Sequence, residues 1–507
     1  MPKRLLKNAT FSSASQIVNM AVSILFVPAY IHFLGINGYG IYSFLVLFFS
    51  WVTILQAGID PAVTRMTAIY AAENNYKNIN PLLTASMIFQ IITASLIGGA
   101  FILSSDFLAT FIIKDEISFL NETRVALNYA GINIVILMCR NVYIALFMGL
   151  QRYDISSAYD ALFNLLAALL ALLALWMGYG IVGIIVVRLI INIFSVAVLH
   201  YAAKKLVSSF HLSLRISKEL LKEIYNYASW IVVGRINRLA VNVLPPVLIG
   251  MYIGPSGIAY FNISSRIVLT LNNLLASSIN VIFPFVSELK TLKESGRIKS
   301  AYLGANRFLS LISAPLYCFG VIYSWDLLYL WLGPDIADNC WLLMALFFVG
   351  YYLSSATMVP SIFALGMGNV KILAFTGFAQ SIIVISTLPF LLNAFGIIGA
   401  SLNLILFESA GIVMVIMITT NIIKASNFTF WIRDRLLMLF VSAVIFSVFI
   451  PLKGILSHEL FTRVEMAAYL GCVFFLGLSI YGFSIKSSNL IDQDTKKRIL
   501  NMFHKTG

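Results

Sequence analysis

Apolar stretches about twenty residues long recur along the whole of this 507-residue chain and constrain its fold more than any other feature. Apolar residues make up 60% of the chain and charged residues 11%, against about 45–50% and about 25% in soluble domains. A water-soluble globular protein is therefore excluded. We predict an all-α polytopic membrane protein with about 14 transmembrane helices. The spans are expected near residues 9–33, 40–58, 82–104, 126–148, 156–177, 181–203, 226–251, 260–286, 304–325, 340–364, 371–392, 396–422, 436–451 and 464–484.

The positive charges alternate between the connections in a way that gives the chain an orientation. Twenty-four of the 34 Lys and Arg residues lie in alternate connections, six lie inside spans, and only Lys114, Arg124, Lys453 and Arg463 lie in the opposite set. Cytoplasmic loops of membrane proteins collect Lys and Arg. The split predicts that both termini are cytoplasmic, and it accounts for the net charge of +13 without a nucleic-acid partner.

Glycine turns recur at matching places in the two halves of the chain. LGING at residues 34–38 matches IGPSG at 253–257 with an offset of 219, and YGIVG at 179–183 matches FGIIG at 395–399 with an offset of 216. Nearly equal offsets predict a duplicated six-helix unit. Both copies begin on the same side, so the repeat is parallel and its axis runs along the membrane normal.

This pattern divides the chain into four parts. We expect an N-terminal six-helix lobe at 1–203 and a C-terminal six-helix lobe at 226–425. Residues 204–225 mix basic and apolar side chains and are typical of an amphipathic linker helix on the cytoplasmic membrane surface. Residues 426–507 are expected to form two extra transmembrane helices and a cytoplasmic tail.

The sequence carries no recognisable catalytic motif. It has no P-loop, no HExxH, no GxSxG and no His/Cys cluster at metal-binding spacing. We therefore expect a transporter and not an enzyme, with no metal or other cofactor, and leave open a coupling to a proton or sodium gradient.

Arginines inside the predicted spans are the most informative polar residues. Arg235 and Arg238 lie on one face of span seven, and Asn242 follows one turn later. A central arginine costs about 2.5–3.5 kcal/mol to insert, so such a pair is expected to face a watery cavity. The stripe predicts a substrate-binding surface.

Span one carries a neutral stripe at the equivalent positions. Under the offset of 219 these positions are Gln16, Asn19 and Ser23. We expect the two lead helices to face each other across an aqueous cavity, with Arg140 and Arg266 joining its lining. Guanidinium groups match phosphate groups with paired hydrogen bonds, so the cavity suits an anionic cargo such as a lipid with a phosphate or pyrophosphate head group.

Other intramembrane charges have ordinary structural explanations. We expect Arg307 to extend to the cytoplasmic interface, Arg188 to pair with a backbone carbonyl or a carboxylate in its own half, and Asp160 to pair with Arg152. Glu408 lies in mid-span without a charged sequence neighbour. It is therefore the first candidate for proton or cation coupling, and Asp160 is the second.

Three stretches give the chain a family resemblance. FSSASQIVNMAVSILFVPAYIHFLGINGYGIYSF at 11–44, FMGLQRYD at 147–154 and VIFPFVSEL at 281–289 together resemble the polysaccharide transporter family of the multidrug/oligosaccharidyl-lipid/polysaccharide exporter superfamily. Its best-known members are the Wzx-type O-antigen flippases. The similarity covers about residues 1–425, and the last two spans fit a fourteen-helix member.

The resemblance implies a function. Members move undecaprenyl-diphosphate-linked oligosaccharide repeat units across the bacterial inner membrane by alternating access, without ATP, with a proton or cation gradient as the driving force. The implied partners are this glycan lipid, membrane lipids and assembly proteins such as a polymerase and a chain-length regulator. The cationic cavity of the family maps onto Arg235 and Arg238, whereas the cationic residue common in span one of related lipid flippases is replaced by Gln16 and Asn19.

Two alternatives remain open. A cation-coupled multidrug exporter of the same superfamily would be expected to line its cavity with acidic residues, and this chain offers only Glu408 and Asp160. A membrane-embedded glycan polymerase would be expected to carry a sizeable loop outside the membrane, and the longest outer connection, at about 105–123, is short.

Overall fold

The computed structural model describes residues 2–55, 59–113, 117–206, 244–280, 282–423, 428–451 and 463–487. All regular secondary structure in these ranges is helical, as the apolar spans predicted. A helix pairs its backbone N–H and C=O groups internally, and hydrocarbon offers them no water to bind.

The chain divides into two compact units, Met1–Ala259 and Tyr260–Gly507. The first contains α1 (Pro2–Leu25), α2 (Val27–Leu55), α3 (Ile59–Ala72), α4 (Ile79–Leu103), α5 (Ser105–Ile113), α6 (Leu120–Gly149), α7 (Tyr153–Trp176), α8 (Gly180–Leu206) and α9 (Leu244–Tyr252). Helix α10 (Pro255–Asn280) continues into the second, which contains α11 (Phe283–Thr291), α12 (Ser295–Ile322), α13 (Ser324–Leu332), α14 (Pro334–Gly366), α15 (Val370–Phe395), α16 (Ile398–Met417), α17 (Phe428–Val448) and α18 (Arg463–Ser487). Short 3₁₀ turns cover Tyr76–Asn78 and Ile117–Phe119, and a π turn covers Ile418–Ile422.

Eleven helices in the described ranges are long and apolar enough to cross a bilayer. The predicted spans near 9–33, 226–251 and 436–451 are not among them as separate helices. The first coincides largely with α1, the second lies mostly outside the described residues, and the third lies in α17, which carries three charged residues at 433–435. The prediction of an all-α polytopic membrane protein is confirmed.

Two predicted spans have different ends in the structure. The span expected at 260–286 falls within Pro255–Thr291, one of the eleven stretches that are long and apolar enough to cross a bilayer. The span expected at 304–325 begins earlier, at Ser295, and ends at Ile322, before the separate short helix α13. Hydropathy runs on past Ile322, so it does not report the end of α12.

The four glycines at the predicted repeat turns share an unusual backbone conformation. Gly35, Gly254, Gly180 and Gly396 have φ angles of 68°, 100°, 54° and 58°. Side chains disfavour this left-handed region, and glycine enters it without steric cost. Each turn thus interrupts the helical backbone at the same place in its own half of the chain, which is what a duplicated unit predicts.

Close helix packing organises the first unit. Helix α6 packs against α4 and α8, and α1 packs against α7. At the α4–α6 crossing a Cβ atom on Gly98 would lie 2.4 Å from the carbonyl oxygen of Gly131. Such small residues let two membrane helices approach closely.

The second unit is centred on α12 and α14. Helix α12 packs against α14 and α17, and α16 packs between α14 and α15. A buried apolar cluster joins α12 and α13 to the last two helices, through Cys318, Tyr323, Phe446, Met466, Leu470 and Val473. The C-terminal helix pair is therefore an integral part of this unit.

The α4–α6 crossing gives a stability prediction. Gly98→Val should lower the thermal unfolding midpoint of the detergent-purified protein by several degrees, because overpacking at a tight contact costs about 1–3 kcal/mol. Gly99→Val is the matched control, since a Cβ atom there would meet nothing within 4 Å. Equal shifts for the two variants would contradict the observed crossing.

Candidate functional site

Four polar side chains from α1, α6 and α7 form one hydrogen-bonded group, the Asp160 cluster. Arg140 Nη2 donates to Asp160 Oδ1 at 2.7 Å. Asn19 Nδ2 donates to Asp160 Oδ2 at 3.0 Å. Asn164 Nδ2 lies 3.3 Å from the same carboxylate oxygen and 3.2 Å from Asn19 Oδ1. One carboxylate thus ties three helices of the first unit together.

The Asp160 cluster is close to neutral overall. The Arg140 side chain is 8% exposed and that of Asp160 is 32% exposed, so the guanidinium is buried against a carboxylate that remains partly accessible. Arg140 was expected to add positive charge to a cavity. The ion pair offsets that charge within the first unit.

The expected partner of Asp160 was wrong. Arg152 pairs instead with Asp154, at 2.9 Å. Arg152 lies just before the start of α7, about 12 Å along the helix axis from Asp160, whereas Arg140 approaches from the neighbouring helix at the same depth. Proximity in sequence therefore misled the prediction.

The remaining predicted binding residues are dispersed. Gln16 is exposed on α1 and takes no part in the hydrogen bonds of the Asp160 cluster. Arg266 is partly buried in α10 of the second unit. Arg235, Arg238 and Asn242 lie outside the described residues. Of the predicted set, the structure brings together Asn19, Arg140 and Asp160.

A second group in the first unit, the Arg188 cluster, consists of Arg188, Tyr42 and Tyr30. Arg188 Nη2 donates to the Tyr42 hydroxyl at 3.1 Å, and the Tyr42 ring meets the Tyr30 ring edge-on at 5.2 Å. The two tyrosines lie on either side of the backbone break at Gly35. A carbonyl or carboxylate partner was expected for Arg188, and the hydrogen-bond partner is a phenol.

Glu408 is buried in the second unit. Its side chain lies in α16, and the residue is 7% exposed. Within the described part of the chain no cationic side chain forms an ion pair with it. No group of three or more His, Cys, Asp or Glu side chains that could hold a metal is found in those ranges.

A buried arginine in α17, Arg435, was not predicted from the sequence. Arg433 and Arg435 were counted with the cytoplasmic loops, but α17 begins at Phe428, and Arg435 is only 6% exposed. Its guanidinium donates to the Tyr352 carbonyl at 3.0 Å and to the Ser355 hydroxyl, lies 3.4 Å from the Ser310 hydroxyl, and stacks 4.7 Å from the Tyr352 ring centroid. These contacts fasten α17 to α12 and α14.

The residue just before Arg435 in α17, Asp434, explains the environment of Arg307. Arg307 Nε lies 3.2 Å from Asp434 Oδ2, and the two side chains are 17% and 10% exposed. Arg307 was expected to reach the interface, but its charge is offset by a carboxylate within the helix bundle. The apolar residues on both sides of the Arg-Asp-Arg triplet at 433–435 were the available signal that the triplet is helical.

The comparisons with known proteins identify the family. Residues 32–338 match the family described as polysaccharide biosynthesis protein. The match covers more than half of the chain, so the chain belongs to this family. A protein of Shigella flexneri named "Putative O-antigen transporter" is 20% identical over 376 residues, which are 73% of this chain and 87% of that protein.

Two solved structures share the fold. The lipid II flippase MurJ in its inward closed conformation has a TM-score of 0.68 at 16% identity and covers 96% of this chain and 100% of its own. An inward-facing multidrug resistance MATE family transporter of the MOP superfamily has a TM-score of 0.67 at 15% identity, covering 81% and 99%. These two likenesses are likenesses of fold. The predicted membership of a polysaccharide family is confirmed by the family match over residues 32–338.

The Asp160 cluster gives a stability prediction. Asp160→Ala leaves the buried Arg140 without its carboxylate and should cost about 3–5 kcal/mol. Asp154→Ala is the matched control, because its partner Arg152 is 36% exposed and exposed pairs contribute about 0–1 kcal/mol. Thermal unfolding in detergent measures both losses. The double variant Arg140→Met, Asp160→Ala should be more stable than Asp160→Ala alone, and an additive loss would contradict the pairing.

Proposed function

We propose that this protein is a flippase that moves a lipid-linked oligosaccharide from one leaflet of a membrane to the other by alternating access. The observation that carries the proposal is membership of the polysaccharide biosynthesis protein family, together with a Shigella flexneri relative named as an O-antigen transporter. A transporter of this kind needs a polar path for the sugars through a bundle that is apolar outside. The polar residues found inside the first unit are consistent with such a path.

The cargo that fits best carries undecaprenyl diphosphate. Its diphosphate would bind to guanidinium groups, which hold phosphate oxygens with paired hydrogen bonds and keep their charge. Arg235 and Arg238 remain the first candidates from the sequence, with Asn242 beside them. Arg140 is a weaker candidate because Asp160 already offsets its charge. Arg266 and Gln16 are assigned to the same lining by sequence alone.

The energy source that fits best is an ion gradient. The sequence has no ATP-binding motif, and a buried carboxyl group without a cationic partner can take up a proton or a small cation. Glu408 meets that description in the described residues. Asp160 is the second candidate, since its side chain is partly accessible but is shared with Arg140.

The multidrug exporter alternative is supported by the fold alone. Cationic drugs would need acidic groups in the cavity. One of the two intramembrane acids named by the sequence, Asp160, is engaged by Arg140, which leaves Glu408 against several arginines. The charge balance therefore favours an anionic cargo over a cationic one.

The proposed location is the bacterial inner membrane, with both termini in the cytoplasm. Two of the 24 positive residues assigned to cytoplasmic connections, Arg433 and Arg435, lie in α17. The remaining residues still outnumber the opposite set several-fold, so the orientation is unchanged. The lobes at 1–203 and 226–425 and the linker at 204–225 are part of this proposal.

A gene deletion tests the function. Cells that lack this protein should lose their surface polysaccharide and accumulate single lipid-linked repeat units on the cytoplasmic side, and the wild-type gene should restore export. Arg235→Ala with Arg238→Ala should insert in the membrane at normal levels without restoring it. Accumulation on the periplasmic side would indicate a polymerase, and drug sensitivity with normal polysaccharide would indicate a multidrug exporter. Either result overturns the proposal.

Glu408 gives a separate prediction about coupling. Glu408→Gln keeps the size of the side chain and removes its charge, so export should fall at least tenfold and should no longer respond to an imposed proton or sodium gradient. Translocation of lipid-linked glycan in proteoliposomes measures both effects. Glu288→Gln, at an exposed position in α11, is the control and should behave as wild type. A Glu408→Gln variant that still responds to the gradient would exclude this residue as the coupling site.

A further inference from the structure

Arginines inside the described spans differ in which groups interact with their positive charge. Arg140 and Arg307 are paired with carboxylates, and the guanidinium of Arg435 is enclosed by hydroxyl and carbonyl groups. Arg188 has one hydrogen bond, to the Tyr42 phenol. In the described residues no carboxylate forms an ion pair with it, and the groups that act on its charge are the phenols of Tyr42 and Tyr30.

Arg188 faces the interior of the first unit. Ile190, Ile193, Ala197 and Tyr201 form the exposed stripe of α8. At about 100° per residue, Arg188 lies on the opposite side of the helix from that stripe. Its own side includes the buried residues Ile181, Ile184, Ile191, Ser195 and Leu199. The guanidinium is therefore directed toward neighbouring helices and away from lipid.

The guanidinium also keeps donors available. Arginine carries five N–H donors, and one of them reaches Tyr42. Arg188 is only partly buried, and its nitrogens are not among the buried polar atoms that lack a partner. Four of the five N–H groups are therefore without a hydrogen-bond partner in the described part of the chain.

The tyrosines hold the guanidinium in place. Tyr42 accepts its hydrogen bond and packs edge-on against Tyr30 across the break at Gly35. Tyr30 and Tyr42 are each 6% exposed, so both rings are immobilised by packing. A guanidinium that is held on one side and has unused donors can bind an anion without first losing a carboxylate partner.

We propose that Arg188 binds the phosphate or diphosphate group of the cargo within the first unit. This inference rests on the proposed function, and it moves the anion site of this unit from Arg140 to Arg188. Arg188 lies about 12 Å along α8 from Gly180, whereas Asp160 lies near the opposite end of the adjoining helix α7. With the proposed orientation, Arg188 receives the anionic group in the outer half of the membrane.

Binding of inorganic pyrophosphate to the full-length protein in detergent tests the site. Arg188→Gln should weaken binding at least tenfold, and Arg188→Lys should retain most of it. Arg297→Gln removes the same charge at an exposed position and should bind as wild type. The site is excluded if wild type shows no saturable binding, if Arg188→Gln binds normally, or if Arg297→Gln loses binding equally.

The variant Tyr42→Phe distinguishes anion binding by Arg188 from a purely structural role of that residue. This variant removes the phenol and leaves the guanidinium, so it should lose less pyrophosphate affinity than Arg188→Gln. Equal losses of affinity and of thermal stability in the two variants would mean that Arg188 only fastens α8 to α2, and would overturn the proposal.

The amount of surface polysaccharide in the deletion strain distinguishes a failure of the Arg188 site from a failure of the proposed flippase function. If the wild-type gene restores polysaccharide and Arg188→Gln restores it equally, the site is wrong and the flippase function stands. If the wild-type gene fails to restore it, the function is wrong, and the pyrophosphate measurement decides the site by itself. Arg188→Gln that inserts normally, loses pyrophosphate affinity and fails to restore polysaccharide supports both.

Discussion

Water is absent from the hydrocarbon layer, and this constraint governs both the backbone and the charges of the protein. Backbone groups are satisfied by helix formation, whereas an intramembrane side-chain charge must find a partner on another helix or open space in the bundle. Arg140 meets Asp160 across two helices, and Arg307 meets Asp434. Each pairing fixes the relative rotation of the helices that carry it, so the polar residues specify how apolar helices pack.

The same constraint decides which charges are available for function. A guanidinium whose charge is offset by a carboxylate attracts a second anion more weakly than one without such a partner. Arg140 is in this position, and Arg188 is not. Both belong to the first unit, where a count of arginines would treat them as equivalent. The distinction between structural and functional arginines therefore depends on their partners and not on their depth.

The features that depend on residues close together in the sequence could be predicted from it. The helical spans follow from runs of apolar side chains, and the breaks at Gly35 and Gly180 follow from the conformational freedom of glycine. Pairings between helices could not be predicted in this way. Asp160 has Arg152 nearby in sequence, yet it pairs with Arg140 and with Asn19, which lies 141 residues away. Which polar group meets which is determined by helix rotation and crossing depth, and hydropathy carries no information about either.

The buried guanidinium of Arg435 has a consequence for how such chains can vary in length. It satisfies hydroxyl groups of Ser310 and Ser355 and the carbonyl of Tyr352. A chain without α17 would uncover these groups, and apolar residues in place of Ser310 and Ser355 would be the matching change on α12 and α14. We therefore expect the presence of the final helix pair to vary together with the composition of two earlier helices.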